Sequence, residues 1–535
     1  MVEADGRSSG DLEVDQEVWE QTLQECAKGW LAGPLTADQV PEGAPISKRF
    51  GLRQKHKIRL IDDFSESCVN QTVTVFESPT LHTIDVACAA VACWFGDCMD
   101  AGVASDLQVK TFDLASAYRQ VGLNANGRRV AYIRVWNPNT SSWAYFQAQV
   151  LPFGAVRSVH SFLRLARAIW KLGTTACLLV WSSFFDHYIV LSTPTLAKST
   201  ELTASSLFSL LGWDYAKEGR KCVPFSASCE ALGVNFDLSQ SGKGLCFVSN
   251  TQSRVAELVT ELEKTVAAGE ILQSDAQRLR GRMQFADSQL YGRTGKRCSK
   301  ALRDAACRRA TKLRDCDLLA LQLFSALLST RKPRTVFWDS RPAVVIYTDA
   351  CYEKESKKLV CGLGGVLVDG SSGEKFFFSI SLDATQRAAL GELTKQQIIF
   401  EAETLAGVLA YWIWEKFFEK RNCLLYLDNE GTKFCLIKGS SDNAVVDILC
   451  AIFAELEMQI ETSCWLARVP SHSNIADKPS RAEVTELLEN GYKDHSKLAA
   501  EKLKDLLAFM TLKVGRKAEC VVRSPCKNER ALASL

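Results

Sequence analysis

The stretch Lys110-Thr-Phe112-Asp113-Leu-Ala-Ser-Ala-Tyr118-Arg-Gln120 sets an aspartate where a strand enters a turn, with an aromatic five residues further on. Leu151-Pro-Phe153-Gly154 then follows a second strand. Ser183-Phe-Phe185-Asp186-His187-Tyr-Ile-Val-Leu191 places an acidic spot between two apolar runs, the look of a tight hairpin with a charged turn. One aspartate in a hairpin turn is an ordinary turn former. The combination points further, because two divalent cations ~3.5–4 Å apart need carboxylates converging from neighbouring strands. Asp113 and Asp186 can supply them.

Outward from these segments, β-rich runs at residues 57–61, 130–135, 144–150 and 178–191 alternate with helical stretches, an α+β texture. Residues 1–45 carry ten acidic side chains and read as a short helix followed by turns at Gly33-Pro34 and Pro41-Glu-Gly43. Residues 252–330 read as helical, with Val255, Leu258, Val259 and Leu262 on one face and Ser274-x-x-Gln277 as a capping box. A second β-rich unit begins at Val344-Val-Ile-Tyr347 and closes near Arg481, and a Lys-rich amphipathic helix follows at residues 497–512.

Whole-chain arithmetic excludes several classes. The 535 residues suggest three or four folding units. Lys+Arg minus Asp+Glu is 64 − 62 = +2, so any electrostatic footprint is local. Hydrophobic residues at 47% and charged residues at 24% exclude long disorder. Twenty cysteines without a CxxC pair fit a reducing, intracellular compartment, cytoplasmic or nuclear. The acidic N-terminus has no apolar core and no apolar run reaches ~18 residues, so no membrane partner is expected. The local charge sits between residues 276 and 334, where fifteen Lys or Arg face four Asp, an excess that would attract a phosphate backbone.

The order FDLxxAY, LPFG and an aromatic-x-Asp turn resembles the palm of a retroelement reverse transcriptase. Trp30-Leu-Ala-Gly33-Pro34, Lys57-Ile-Arg59-Leu-Ile-Asp-Asp-Phe64 with Asn70, Leu211-Gly-Trp213 with Lys221, and Leu232-Gly-Val234 fit the same pattern over about 220 residues. The resemblance implies that Asp113 and Asp186 bind the metals and that Arg59 contacts the incoming triphosphate. It makes Tyr118 the gate against a 2′-hydroxyl, lays Phe153 and Gly154 against nucleotide and template, and sets Lys221 near the leaving pyrophosphate. One departure stands out: the family's third motif ends in two aspartates, and here the second is His187. A neutral imidazole removes a negative charge and prefers softer metals than Mg²⁺.

In the later unit, Asp349 ends a strand, Glu403 sits on a helix, Asp428 ends another strand, and Asp477 lies in Asn474-Ile-Ala-Asp477-Lys-Pro-Ser480-Arg481. Each alone reads as a cap or turn former. Together, with Tyr347-Thr-Asp349-Ala350, the Gly362-Leu-Gly-Gly365 strand, Glu403-Thr-Leu-Ala406 and Leu427-Asp-Asn429, they look like a type 1 ribonuclease H domain of the kind joined to retroelement polymerases. Glu401 is the rival of Glu403; on a helix the two point roughly 200° apart, so only one can face the site. By the same resemblance His472 would assist product release.

These resemblances imply an α+β and α/β multidomain chain: a right-hand polymerase of fingers, palm and thumb, then a ribonuclease H-like mixed sheet with flanking helices. The expected division is 1–45, an acidic segment; 46–245, fingers and palm; 246–338, a basic thumb or connection; 339–485, the nuclease domain; and 486–535, a helix and tail. Arg280, Arg282, Arg293, Lys296 and Arg297 would cradle the duplex. Implied partners are an RNA template, a DNA primer, the RNA–DNA hybrid and deoxynucleoside triphosphates. Implied cofactors are Mg²⁺, with Mn²⁺ as an alternative, two per site. No Asp-Thr-Gly protease motif, integrase zinc cluster or CCHC knuckle is present, so the chain resembles a piece of a retroelement polyprotein or a truncated insertion. Three readings stay open: a bifunctional polymerase and hybrid ribonuclease, a nuclease with a degenerate palm, and a non-catalytic nucleic-acid-binding derivative.

Overall fold

The structure is a computed structural model describing residues 8–54, 57–74, 80–104, 106–219, 222–308, 311–355, 358–391 and 397–515. These fall into two compact units, one within Met1–Leu232 and Phe236–Gly244, the other within Gly233–Asn235 and Leu245–Leu535. No described helix is long and apolar enough to cross a membrane.

The first unit holds two sheets. A mixed five-stranded sheet runs in the order Leu31–Leu35, Ser142–Ala148, Tyr132–Asn137, Ile46–Gln54, Lys57–Asp63. The acidic N-terminal segment, set apart at residues 1–45 from composition, is built into this sheet. Leu31 pairs with Ala148, and the helix Leu12–Ala27 buries Val14, Val18 and Trp19 in the same core as Ile133, Val135 and Phe146. Composition misplaced that boundary because the helix turns its acidic residues mostly outward and keeps a narrow apolar stripe inward.

The second sheet is small and antiparallel, in the order Gln108–Asp113, His187–Ser192, Val180–Phe184. Beneath it lies the helix Val156–Ala176, which buries Phe162, Leu163, Ala166 and Ile169. Trp181, Tyr188 and Phe208 complete this core. A side chain at Gly173 would run into the Trp181 ring, so the glycine lets helix and strand approach closely.

In the second unit the strand Leu245–Asn250, paired antiparallel with Arg334–Phe337, leads into four helices, Gln252–Ala268, Gln273–Asp287, Thr294–Arg308 and Asp315–Thr330, packed on Leu258, Leu262, Leu279, Met283, Leu302, Leu321 and Phe324. The helix expected to start at a Ser274 cap begins two residues earlier, with Leu272 at the cap position. A six-stranded sheet follows, in the order Ser463–Arg468, Asn422–Leu427, Val344–Glu355, Lys358–Asp369, Lys375–Ser381, Lys493–Asp494. Its first three strands are parallel and the next two antiparallel.

The helix Ile399–Ile413 is buried along nearly its whole length. It packs between the sheet and the helices Ala444–Gln459 and Ser496–Gly515. That last helix, expected beyond the domain, contributes Ala499, Leu503, Leu506 and Met510 to the core. The strand before it pairs with Phe376 and Phe377. The folded unit therefore runs past 485. Its last strand is two residues long, too short for an alternation to be read.

Candidate functional site

Asp113 closes its strand directly opposite His187. Phe184 also pairs with His187, so Phe185 and Asp186 alone turn the hairpin, with Phe185 at a left-handed φ of 53°. A non-glycine residue held there costs about 1–3 kcal/mol and persists where the surrounding structure fixes it. Here the strand pair fixes it, and the turn thrusts Asp186 beside the end of the Asp113 strand, where Leu114 N–H donates to the Asp186 carbonyl at 3.0 Å. Ligand atoms of Asp113, Asp186 and His187 all lie within 4.8 Å of one another. His187 Nδ1 is 2.7 Å from Asp113 Oδ2, and its Nε2 is 4.0 Å from Asp186 Oδ1.

Tyr118 lies near this cluster. Its ring stacks on Phe162 at 4.8 Å and leans on Phe153 at 5.0 Å. Burial, then the nearby Asp186 charge, pushes its hydroxyl up to about 12. Gly154 turns the chain with φ 91°, and a side chain there would collide with the Asp62 carbonyl oxygen. Asn70 clamps the same turn: its amide donates to the Gly154 carbonyl at 3.0 Å and its oxygen accepts from Val156 N–H at 2.9 Å. Arg59 is exposed on the strand Lys57–Asp63. Lys221 lies outside the described residues.

A buried network behind this turn had no sequence signal. Arg49 is fully buried and holds Asp62 through two nitrogens, at 2.6 and 3.0 Å, and Glu25 at 2.8 Å. Glu25 accepts from Arg119 at 2.8 Å, and Arg119 lies 5.3 Å over the Phe153 ring. Scattered single charges in four segments form no pattern until the sheet brings them together.

In the second unit the parallel register sets the geometry. Tyr347 is level with Tyr426, so Asp349 and Asp428, two residues beyond each, leave neighbouring strands at the same height. Glu403 joins them from the central helix, and ligand atoms of Asp349, Glu403 and Asp428 lie within 4.8 Å of one another. Glu401 is turned away and accepts from the Asn443 amide at 2.6 Å. Asp477 stands outside this trio, half-buried and ion-paired with Arg481 at 3.1 Å. His472 is exposed in the turn Ser471–Ser473.

Two strand glycines make the cluster possible. Side chains on Gly362 or Gly364 would run into the backbone of Ala476 and Ser480, so their absence lets the Asp477–Ser480 turn lie flat on the sheet. From that turn Ser480 donates to Asp349 at 2.7 Å, Asn474 donates to it at 3.3 Å, and Ser471 donates to Asp428 at 3.1 Å. Among the described residues, Glu403 Oε2 and Asp428 Oδ1 are buried without a hydrogen-bond partner. Burial, then the neighbouring carboxylates, pushes Glu403 up to about 10. Burial likewise lifts Asp349 to about 7, against the Ser480 hydrogen bond. Hard oxygen donors crowded in this way are what a divalent cation relieves.

The basic helical stretch is arranged differently from expectation. Arg293 pairs with Glu457 at 3.1 Å and donates to the Cys464 carbonyl; Arg297 pairs with Asp447 at 2.6 Å; Lys296 reaches the Ile437 carbonyl at 3.4 Å. Arg293 and Arg297 dock the helical segment onto the helix Ala444–Gln459 and its neighbours and are taken up by acidic partners, whereas Lys296 stays exposed. Arg282 is held by Glu257 and Glu261, and Arg280 is half-buried. Local charge counting overstated the free positive surface because it omits acidic partners distant in sequence, Glu457 for Arg293 and Asp447 for Arg297.

No protein-family model matches the chain, and no curated protein does. Among solved structures, it is similar to a foamy viral protease-reverse transcriptase dRH in complex with double-stranded DNA, at 12% identity and TM-score 0.48, over 85% of this chain and 70% of that one. It is also similar to a foamy viral protease-reverse transcriptase in complex with dsDNA, at 13% identity and TM-score 0.45, over 86% and 84%. Likeness at that level does not decide function, which is left to the geometry of the two clusters.

Proposed function

We propose that the chain is a nucleic-acid phosphoryl-transfer enzyme with two sites: an RNA-directed DNA polymerase around Asp113 and Asp186, and a ribonuclease that cuts the RNA of an RNA–DNA hybrid around Asp349, Glu403, Asp428 and Asp477. Residues 8–244 would then serve as fingers and palm, the four helices as thumb and connection, and residues 339–515 as the nuclease, in the right-hand order expected from sequence. The observation that carries this reading is the trio of buried Asp349, buried Glu403 and half-buried Asp428, whose ligand atoms lie within 4.8 Å and two of whose oxygens have no hydrogen-bond partner among the described residues. Such a site is costly to fold for packing alone.

Divalent cations held there would lower the pKa of an attacking water and stabilise the leaving oxygen. The chain's own residues position the carboxylates: Ser480 and Asn474 fix Asp349, Ser471 fixes Asp428, and Arg481 restrains Asp477. At the first site, Tyr118, supported by Phe153 and Phe162, would form the floor under the sugar. RNA template, DNA primer and deoxynucleoside triphosphates are the proposed partners, with Mg²⁺ or Mn²⁺ as cofactor and Arg59 and Lys221 toward the triphosphate.

The test is cleavage of an RNA–DNA hybrid by the full chain, with Asp428→Asn expected to reduce the rate by ~10²-fold or more, the scale of removing one preorganised electrostatic group. Wild type that binds hybrid without cutting it would overturn the nuclease assignment. His187, 2.7 Å from Asp113, favours a second reading in which only the nuclease is active. Primer extension on an RNA template separates the two.

A further inference from the structure

Away from both carboxylate clusters, the second unit buries a group of oxygen atoms with nothing opposite them. They gather where the strand Leu245–Asn250 ends and where the helix Gln273–Asp287 hands over to Thr294–Arg308. Asn250, Asp287 and Gln289 are only 8%, 5% and 2% exposed. Asn250 Oδ1, Asp287 Oδ1, Gln289 Oε1 and the Thr294 hydroxyl are buried without a hydrogen-bond partner among the described residues. Buried polar atoms are normally paired, so four bare ones at one joint call for a cause.

One carbonyl ties three of these residues together. Ala286 O accepts from Asn250 Nδ2 at 2.8 Å and from Gln289 N–H at 3.2 Å, and Asp287 follows it directly. Chemistry fixes both amide orientations. A carbonyl can only accept, so Asn250 presents its nitrogen to Ala286 and leaves its oxygen bare. The Ser288 hydroxyl donates to the Phe285 carbonyl at 2.6 Å, so it accepts from Gln289 Nε2 at 2.7 Å, and the Gln289 oxygen is left bare as well. The Asp287 carboxylate lies against the first turn of the next helix. A Cβ on Gly295 would strike its Oδ1, so the glycine keeps a cradle open beside Thr294.

Three of the four atoms can only accept, and one belongs to a carboxylate. Lys296, the cation whose field acts on Asp287, is exposed and turns its Nζ to the Ile437 carbonyl at 3.4 Å. A water would bring protons but no charge, and a buried carboxylate needs charge. One carboxylate among neutral oxygens balances a single positive charge, whereas a divalent ion would leave a buried charge uncompensated. We propose that this joint is a structural site for a monovalent metal cation, Na⁺ or K⁺, held by Asp287 Oδ1, Asn250 Oδ1, Gln289 Oε1 and the Thr294 hydroxyl. The ion pins the strand end to both helices. The site rests on neither phosphoryl-transfer assignment, because it is read through stability alone.

The experiment uses the full chain in mildly alkaline buffer, with EDTA added as its choline salt so that the two carboxylate clusters stay silent. Melting is compared in NaCl, KCl and choline chloride at one ionic strength. At least one of the metal salts should raise the melting temperature by several degrees over choline. In that salt, amide hydrogen exchange across residues 286–297 should slow. Asp287→Asn, close in shape and without the charge, should lose both effects. Should that variant not fold, Gln289→Met keeps the carboxylate, removes one oxygen and should shrink the salt-specific shift. Equal melting in all three salts, exchange that slows elsewhere but not at this joint, or a wild-type salt effect in either variant overturns the proposal.

Discussion

Glu403→Gln tests the second cluster through folding energetics as well as through activity. Glu403 is pushed up to about 10, by burial first and by Asp349 and Asp428 next, whereas an unfolded glutamate titrates near 4.3. At pH 8 the folded protein therefore holds a proton that the unfolded chain releases. Each pH unit above ~4.3 costs folding about 1.4 kcal/mol, an upper bound of about 5 kcal/mol, and roughly 3 kcal/mol once relaxation and sharing with Asp349 are allowed for. The sign follows from the raised folded value: the contribution is complete below about pH 4 and is lost as pH climbs toward 10. Glutamine lacks that penalty but buries an unsatisfied amide at about 1 kcal/mol. In EDTA, the variant is thus expected to be roughly 2 kcal/mol more stable than wild type at pH 8, or several degrees in melting temperature, and about 1 kcal/mol less stable near pH 4.5. A saturating divalent cation should invert the pH 8 order, since wild type gains about 2.7 kcal/mol at a hundredfold excess over Kd and the variant binds poorly. Urea unfolding at the two pH values, with hybrid cleavage measured in parallel, reads every arm. Equal destabilisation of the variant at both pH values in EDTA would refute the claim that the trio is electrostatically crowded.

Gly364→Ala should cost 1–3 kcal/mol, on the scale of about one overpacked core position, and lower hybrid cleavage, because the new methyl meets the Ala476 and Ser480 backbone and lifts the turn that orients Asp349; unchanged melting and cleavage would show that the turn is not held by close approach. Glu25→Gln leaves the buried Arg49 and Arg119 short of charge compensation and should destabilise the first unit by about 3–5 kcal/mol, a reading that a loss under 1 kcal/mol in urea unfolding would exclude. Arg293→Ala and Arg297→Ala should leave the salt dependence of duplex binding unchanged, since these side chains are held by Glu457 and Asp447. A slope reduced by about one per variant would instead place them on phosphate. Primer extension in Mg²⁺ should be poor for wild type and improve in His187→Asp; equal activity of the two would make the imidazole irrelevant to catalysis.

What could be read in the sequence was whatever a short pattern announces. Asp113, Asp186, Asp349 and Asp428 each end or follow a strand whose apolar residues mark it, and the Gly362-Leu-Gly-Gly365 spacing survives because two of its glycines face a backbone neighbour and Gly365 faces the Phe378 ring. The choice between Glu401 and Glu403 was half legible. Helical geometry said that only one could face the site, and the Asn443 contact, 42 residues downstream, decided which. Illegible was everything whose partner lies far along the chain. Arg49 looks like any strand arginine until Glu25 and Asp62 close around it, and the Arg293–Arg297 stretch looks like a phosphate ridge until the helix Ala444–Gln459 presents its acids.

The two clusters use one device and balance it differently. Each places an aspartate at the end of a strand and a second on a neighbouring strand or turn, so that backbone register, which tolerates no slip without turning every side chain to the other face, does the positioning. In the second cluster the charge is left standing: three carboxylates converge, and the guanidinium of Arg481 is spent on Asp477 and Glu353. In the first cluster, the residue opposite Asp113 is an imidazole, whose Nδ1 stands 2.7 Å from that carboxylate in place of a further carboxylate. The second cluster therefore depends on an external cation for its electrostatics, while the first partly satisfies itself from within. A metal titration of the full chain should accordingly separate into two classes of site, and Mg²⁺ alone should protect the second cluster from the pH-dependent loss of stability while leaving the first unit's stability nearly unmoved.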